Sequence, residues 1–196
     1  VSYVVFIENL DKYNFHYPAN VAIVCSKHEE RVNLMSAAWH TQLSHNPPLY
    51  GISISPKRFT HDLILVSKEF TVNFLRFEQS RLAAFFGKTS GRDIDKVNVF
   101  EIDLSESRNV KAPFLKDSYA VYECKLVDFR NTGDHTFFIG KIVGIHYDPN
   151  AFSPSLNIYP TLYLGTDLYI TTDNSNKRLH DEKQVKEYLS RWVQGG

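Results

Sequence analysis

Val21-Ala-Ile-Val-Cys25 is an unbroken apolar run after Pro18, the pattern of a strand covered on both faces. A polar turn at positions 27–30 follows. Positions 32–43 mix apolar and polar residues in a way that fits helix or strand equally, with small residues at Ser36, Ala37 and Ala38. Asn46-Pro47-Pro48 forces an extended break, and positions 49–54 alternate as a strand does. The loop Ser55-Pro-Lys-Arg-Phe-Thr60 leads into a short helix over 61–67, with Thr60 as the expected N-cap and Asp62 in the first turn. A strand over 69–75 and a helix over 78–86 come next; Leu82, Phe85 and Phe86 share one helix face and Gly87 stands at the C′ position. Later, the alternating stretch 119–127 and the stretch 136–147 flank a turn-rich link at 130–135 and read as a β-hairpin. Val185, Tyr188, Leu189 and Trp192 recur at helical spacing and predict an amphipathic carboxy-terminal helix over about 183–193.

Strands do not alternate regularly with helices, which disfavours a doubly wound parallel sheet. The pattern predicts one mainly β domain over residues 1–196, an antiparallel barrel-like sheet with helices packed outside. Composition agrees: 14 Phe and 11 Tyr in 196 residues favour strands. Lys plus Arg and Asp plus Glu are both 22, so the formal net charge is zero. That balance argues against broad capture of nucleic acid or an anionic membrane, and leaves room for a local anion pocket. No apolar run is long enough to cross a bilayer, and positions 1–10 lack the features of a signal peptide, so a cytoplasmic location is expected. Cys25 and Cys124 are too few for a disulfide framework or a four-cysteine zinc site and are expected as buried thiols.

The candidate chemistry is local. Ser55, Lys57, Arg58 and Thr60 stand just ahead of a helix N-terminus, where unpaired N–H groups and the helix dipole favour an anion such as phosphate; the alternative is an exposed loop with a capping threonine. The small residues at 36–38 admit a flat ligand close to the backbone, with Asn33 and Ser36 as hydrogen-bonding groups, or else serve close packing in a barrel; Trp39 reads more readily as core than as a stacking platform. His135, in Gly133-Asp-His-Thr136, is placed to orient a ligand, or is a turn histidine. No phosphate-binding glycine loop, nucleophile elbow or metal-binding histidine pair occurs.

Taken in order, Pro18-Ala-Asn-Val-Ala-Ile-Val-Cys25, Asn33-x-Met35-Ser36-x-Ala38-Trp39, Ser44-x-x-Pro47-Pro48, Arg58-x-Thr60, Glu69-Phe70-Thr-Val-Asn73, Gly91-x-Asp-x-Asp95-Lys96, Gly133-Asp-His135-x-x-x-x-Gly140 and Pro160-x-x-Tyr163-x-Gly165-x-x-x-Tyr169 resemble the flavin reductase-like, FMN-binding split-barrel family. The resemblance runs over about 18–169. It implies a six-stranded antiparallel split β-barrel with flanking helices, usually a homodimer, with FMN (sometimes FAD) near the barrel edge. Asn33, Met35, Ser36, Ala37, Ala38 and Trp39 would line the isoalloxazine and ribityl chain. Ser55, Arg58 and Thr60, with Lys57, would hold the phosphate, and backbone N–H groups of 33–39 and 44–48 would face the ring. His135 would stand where a nicotinamide docks. The implied activity is hydride transfer from NAD(P)H to bound or free flavin. Two other readings stay open: a flavoredoxin-like carrier reduced by a protein partner, and a non-catalytic barrel that serves as a binding module.

Overall fold

A computed structural model of the chain describes residues 4–8, 14–178 and 180–187. The strands are β1 (Ala19–Asn20), β2 (Ala22–His28), β3 (Arg31–Ala37), β4 (His40–His45), β5 (Pro48–Ile54), β6 (Glu69–Phe74), β7 (Leu104–Ser105), β8 (Phe114–Leu115), β9 (Ala120–Thr132), β10 (His135–Tyr147), β11 (Leu162–Gly165) and β12 (Leu168–Ile170). The helices are α1 (Phe59–Ser67), α2 (Ser80–Lys88) and α3 (Lys96–Val99). The main sheet is antiparallel throughout, in the order β3-β2-β6-β9-β10-β5-β4. Laid flat, its outer strands would stand about 29 Å apart at the usual ~4.8 Å spacing. Yet β3 and β4 are joined by Ala38 and Trp39 alone, a link that reaches about 11 Å at most. The sheet therefore curls until its two ends meet, and Ser53 N–H donates to Trp39 O at 2.9 Å to pin that seam to β5.

Seven strands stand where six are expected. The ambiguous stretch 32–43 is two strands broken at Ala38-Trp39, and each belongs to a different end of the sheet.

Curling divides the apolar residues into two cores, and β2 contributes to both. Ala22 and Val24 point inward, to Ile52, Phe70, Val72 and Phe138, with Ile64 of α1. Ile23 and Cys25 point outward, to Leu34, Leu75 and the Ala83/Phe86 face of α2. This two-sided burial is why the run at 21–25 has no polar member. Cys25 and Cys124 are free and fully buried, and burial pushes the Cys25 thiol up to about 12. The β9–β10 hairpin closes on Gly133-Asp134, where Gly133 takes φ 71°, the left-handed region a two-residue turn needs.

Two helix boundaries differ from expectation. The N-cap of α1 is Arg58, whose backbone is extended and whose side chain makes no capping bond. Thr60 instead lies inside the first turn, its hydroxyl accepting from Asn33 Nδ2 at 2.8 Å; Asp62 is in the first turn as expected. Gly87 is no C′ residue: α2 runs through it to Lys88 and ends on the extended backbone of Thr89. At the carboxy end residues 182–187 are helical; Tyr188, Leu189, Trp192 and Val193 lie outside the described residues. Among the described residues no helix is long and apolar enough to cross a membrane.

Gly140 tests the inner packing. It sits at a register shift between β9 and β10, and a Cβ there would stand 2.5 Å from Phe70 Cζ and 2.9 Å from Cys124 Cβ, both in buried side chains. Gly140→Ala is expected to destabilise the fold by about 1–3 kcal/mol, seen as a lower urea midpoint at unchanged slope. An unchanged midpoint would mean that the Phe70 ring yields.

Candidate functional site

The seam is also a cleft. Its volume is about 560 Å³, and its walls come from the end of β3, the Ala38-Trp39 link, the end of β5 with the loop after it, and the start of β10. Register explains the convergence: Thr136 pairs with Ile54, which brings His135 beside Ser55, and the seam bond brings Trp39 to Ser53. Met35, Ser36, Ala37, Ala38, Trp39, Ser55, Lys57, Arg58 and His135 thus meet around one space although they span a hundred positions. Tyr17, Ser53, Ile54 and Tyr163 complete the lining.

One end of the cleft is aromatic. Trp39 is 38% exposed, so it is a wall of the cleft and not the core residue its type suggests. Its ring lies 4.7 Å from that of His135, and its Nε1 donates to Tyr17 Oη at 3.1 Å. Tyr17 in turn packs on Tyr163, with ring centroids 5.7 Å apart. His135 Nδ1 is 2.7 Å from Asp134 Oδ1, so Nδ1 carries the proton and Nε2 is the nitrogen left for a ligand. That bond from His135 is the main reason the Asp134 carboxyl is held below its ordinary range, with Lys57 adding a minor attraction.

The other end is cationic. Arg58 N–H donates to Ser55 O at 2.9 Å, and Lys57 N–H approaches Ser55 Oγ at 3.4 Å, which folds positions 55–58 into a turn. Lys57 and Arg58 are both exposed, at the N-terminus of α1. Nearby Arg92 is already engaged by Asp62.

Three expected ligand groups are turned elsewhere. Asn33 and Thr60 are 3% and 0% exposed and bond to each other, tying β3 to α1 instead of lining the cleft. Ser36 lines it, but its hydroxyl donates to Ala83 O at 2.5 Å and is spent on α2. Segment 44–48 spans the end of β4, the Asn46-Pro47 turn and the start of β5, and takes no part in the lining. Tyr163 was visible in the sequence only as a member of a spaced pattern, and Tyr17 had no local signal at all. A larger depression of about 730 Å³ lies by the β2–β3 turn; its rim mixes Lys27, His28, Glu29, Glu30 and Lys111 and holds no Phe, Tyr or Trp.

Behind Trp39 a second recess, about 520 Å³, is lined in part by Asn20 and His40. His40 Nε2 faces Asn20 O at 2.9 Å and must carry the proton, so Nδ1 accepts from Tyr50 Oη at 2.6 Å. Burial lowers the His40 pKa below its ordinary 6.5, against the raising effect of the Asn20 carbonyl. The unfolded chain therefore takes up a proton at this position before the folded one does, and stability falls as the pH drops through 6.5. In urea titrations across that interval His40→Gln, which keeps one donor and one acceptor, is expected to lose less stability than the parent chain. Parallel losses would show that His40 does not contribute.

Comparison with known proteins agrees with the fold. Residues 15–170 match the flavin reductase like domain. An uncharacterized protein of Pyrococcus abyssi is 36% identical over 143 residues, which cover 73% of this chain and 82% of the relative. The NADH-dependent flavin reductase StyB of Pseudomonas fluorescens is 27% identical over 156 residues, covering 78% of this chain and 85% of the relative. The crystal structure of an FMN-binding protein from Thermus thermophilus superposes with a TM-score of 0.81 at 32% identity, over 92% of this chain and all of that one. The antiparallel sheet is therefore a fold this chain shares with these relatives, and the chain belongs to the flavin reductase-like family.

Proposed function

We propose that the seam cleft binds FMN and that the protein transfers hydride from NAD(P)H to flavin. The observation that carries this reading is the polarity of the cleft: Lys57 and Arg58 at a helix N-terminus mark one end, and Tyr17, Trp39, His135 and Tyr163 mark the other. A phosphate and a flat heteroaromatic ring, joined by a short polyol, need that succession of surroundings. Size agrees as well, since about 560 Å³ falls in the range usual for cofactor pockets. The names of the relatives point the same way, one an FMN-binding protein and one an NADH-dependent flavin reductase.

In this reading Lys57 and Arg58 hold the phosphate by charge, helped by the unpaired N–H groups that open α1. Met35, Ala37 and Ala38 give a flat apolar floor. β3 ends the sheet order, so every second N–H on its outer edge has no strand partner and is available to a ligand's ring oxygens. Asn33 and Thr60 act from below, fixing α1 against β3. When bound, the flavin supplies the redox chemistry and the protein supplies binding, orientation and electrostatics. His135, held by Asp134 through Nδ1, offers Nε2 to orient the nicotinamide, and Trp39 beside it keeps water from that edge. Pairing of two chains belongs to the same proposal; it would cover Val127, Phe129 and Ile145, which β9 and β10 leave exposed.

The test is visible absorption of the purified protein with FMN, followed anaerobically on adding NADH or NADPH. Flavin bands that co-elute with the protein and bleach with either nicotinamide are expected. Failure to retain FMN overturns the proposal, and bleaching by a reduced redox protein but by neither nicotinamide makes the chain an electron carrier instead. Arg58→Ala removes a charged hydrogen bond worth about 1.5–3 kcal/mol and should weaken FMN roughly 10- to 100-fold while leaving riboflavin unaffected. Equal losses for both flavins, or none, would take Arg58 out of the phosphate site.

A further inference from the structure

The first turn of α1 is tied to two walls of the cleft by adjacent side chains. Thr60 reaches β3 through Asn33. His61, 8% exposed, reaches β10: its Nε2 lies 2.9 Å from Thr136 Oγ1, and its ring packs edge-on against Phe138 with centroids 5.2 Å apart. Thr136 is 3% exposed and directly follows His135. On its other side, the His61 backbone N–H donates to Arg58 O at 3.1 Å. A path of two hydrogen bonds therefore runs from Arg58, at the cationic end of the cleft, to the neighbour of His135 at the aromatic end. The start of β10 needs such an anchor. Thr136 is the last residue of β10 paired with β5, opposite Ile54; His135 pairs with Thr132 of β9 alone, and positions 129–134 of that hairpin tip are exposed.

We propose that His61 is a positioning residue that fixes His135 relative to Arg58, so that a ligand anchored by its phosphate at one end meets an imidazole held in place at the other. The chemistry of the bond suits a fixed spacer. A threonine hydroxyl both donates and accepts, so Thr136 satisfies Nε2 in either neutral tautomer and in the imidazolium. His61 Nδ1 is buried and makes no hydrogen bond; the nearby Asp62 Oδ1 is 3.5 Å away, and Asp62 is engaged by Arg92 through its other oxygen. The bond to Thr136 is thus the polar contact that orients the ring. The positioning stands on these contacts alone, and its consequence for hydride transfer rests on the flavin reading of the cleft.

The free protein reads the positioning. In the full chain with isotope-labelled histidine, a nuclear Overhauser contact is expected between the His135 ring and the Trp39 indole, whose centroids lie 4.7 Å apart. His61→Leu and Thr136→Val should each lose it. His61→Gln, whose amide meets the Thr136 hydroxyl as Nε2 does, should keep it. Where the leucine variant does not fold, Thr136→Val gives the same answer from the other partner. In the FMN-loaded protein, His61→Leu should raise the KM for NADH about fivefold, the worth of one hydrogen bond, with kcat and FMN affinity changed less than about twofold, and His61→Gln should restore the parent value. A contact that is absent from the parent chain, or that survives His61→Leu and Thr136→Val, overturns the role of His61 and leaves the flavin reading standing. Parallel falls in kcat, FMN affinity and thermal midpoint that His61→Gln does not restore overturn it too, since they make His61 a packing residue only. Loss of the contact in the variants of a protein that retains no FMN leaves the positioning standing and removes the flavin reading.

Discussion

The two-residue link between β3 and β4 is the constraint on which the rest of the structure depends. Hydrogen bonding alone would let the seven strands form an open twisted sheet. Covalent continuity between the two ends forbids it, so the sheet must curl. Curling gives every strand an inner and an outer face and separates the apolar residues into an enclosed cluster and one shared with α2. The Ser53–Trp39 bond only extends the β4–β5 ladder by one residue and no ladder joins β3 to β4 or β5 among the described residues, and this open seam leaves the cleft. Fold and site have one cause.

Charge is arranged against the same frame. The protein is neutral overall, and most surface cations near α1 have a carboxylate or carbonyl partner: Arg92 has Asp62, and Arg31 has Gly91 O and stacks on Phe59. Lys57 and Arg58 depart from this rule, and both lie on the cationic side of the cleft. Both are exposed, so the cost of leaving them without an ion-pair partner is small. The aromatic end has no comparable cost, because Trp39, Tyr17 and His135 satisfy one another's polar atoms or those of Asp134.

Legibility in the sequence followed the number of faces on which an element is covered. β2, buried on both, showed as an unbroken apolar run, and the β9–β10 hairpin showed through alternation and its Gly133-Asp134 turn. The stretch 32–43 was ambiguous because its polar members are satisfied by distant parts of the chain: Asn33 by Thr60, Ser36 by Ala83 O, His40 by Tyr50 and Asn20. Periodicity sees the side chain and not its partner. The same limit explains the site. The residue types suited to a phosphate and a flat ring could be read off positions 35–39 and 55–58, but the inward turn of Asn33 and Thr60 could not. Lys96 stood out only as the last member of the spaced pattern Gly91-x-Asp-x-Asp95-Lys96, and its burial was not legible, since a lysine in a polar stretch normally reads as exposed.

The seam also sets where this architecture tolerates change. In a sheet whose ends are free, a loop beside the binding site can lengthen without disturbing the strands it connects. Here the connection at Ala38-Trp39 is at once a wall of the cleft and the tether that sets the circumference of the barrel. Lengthening it would relax curvature everywhere, loosening the inner packing around Phe70 and Phe138 along with the site. Variation in what such a protein accepts is thereby directed to parts of the rim that carry no tension: the segment before β1 that supplies Tyr17, the strand β11 that supplies Tyr163, and the tip of the β9–β10 hairpin.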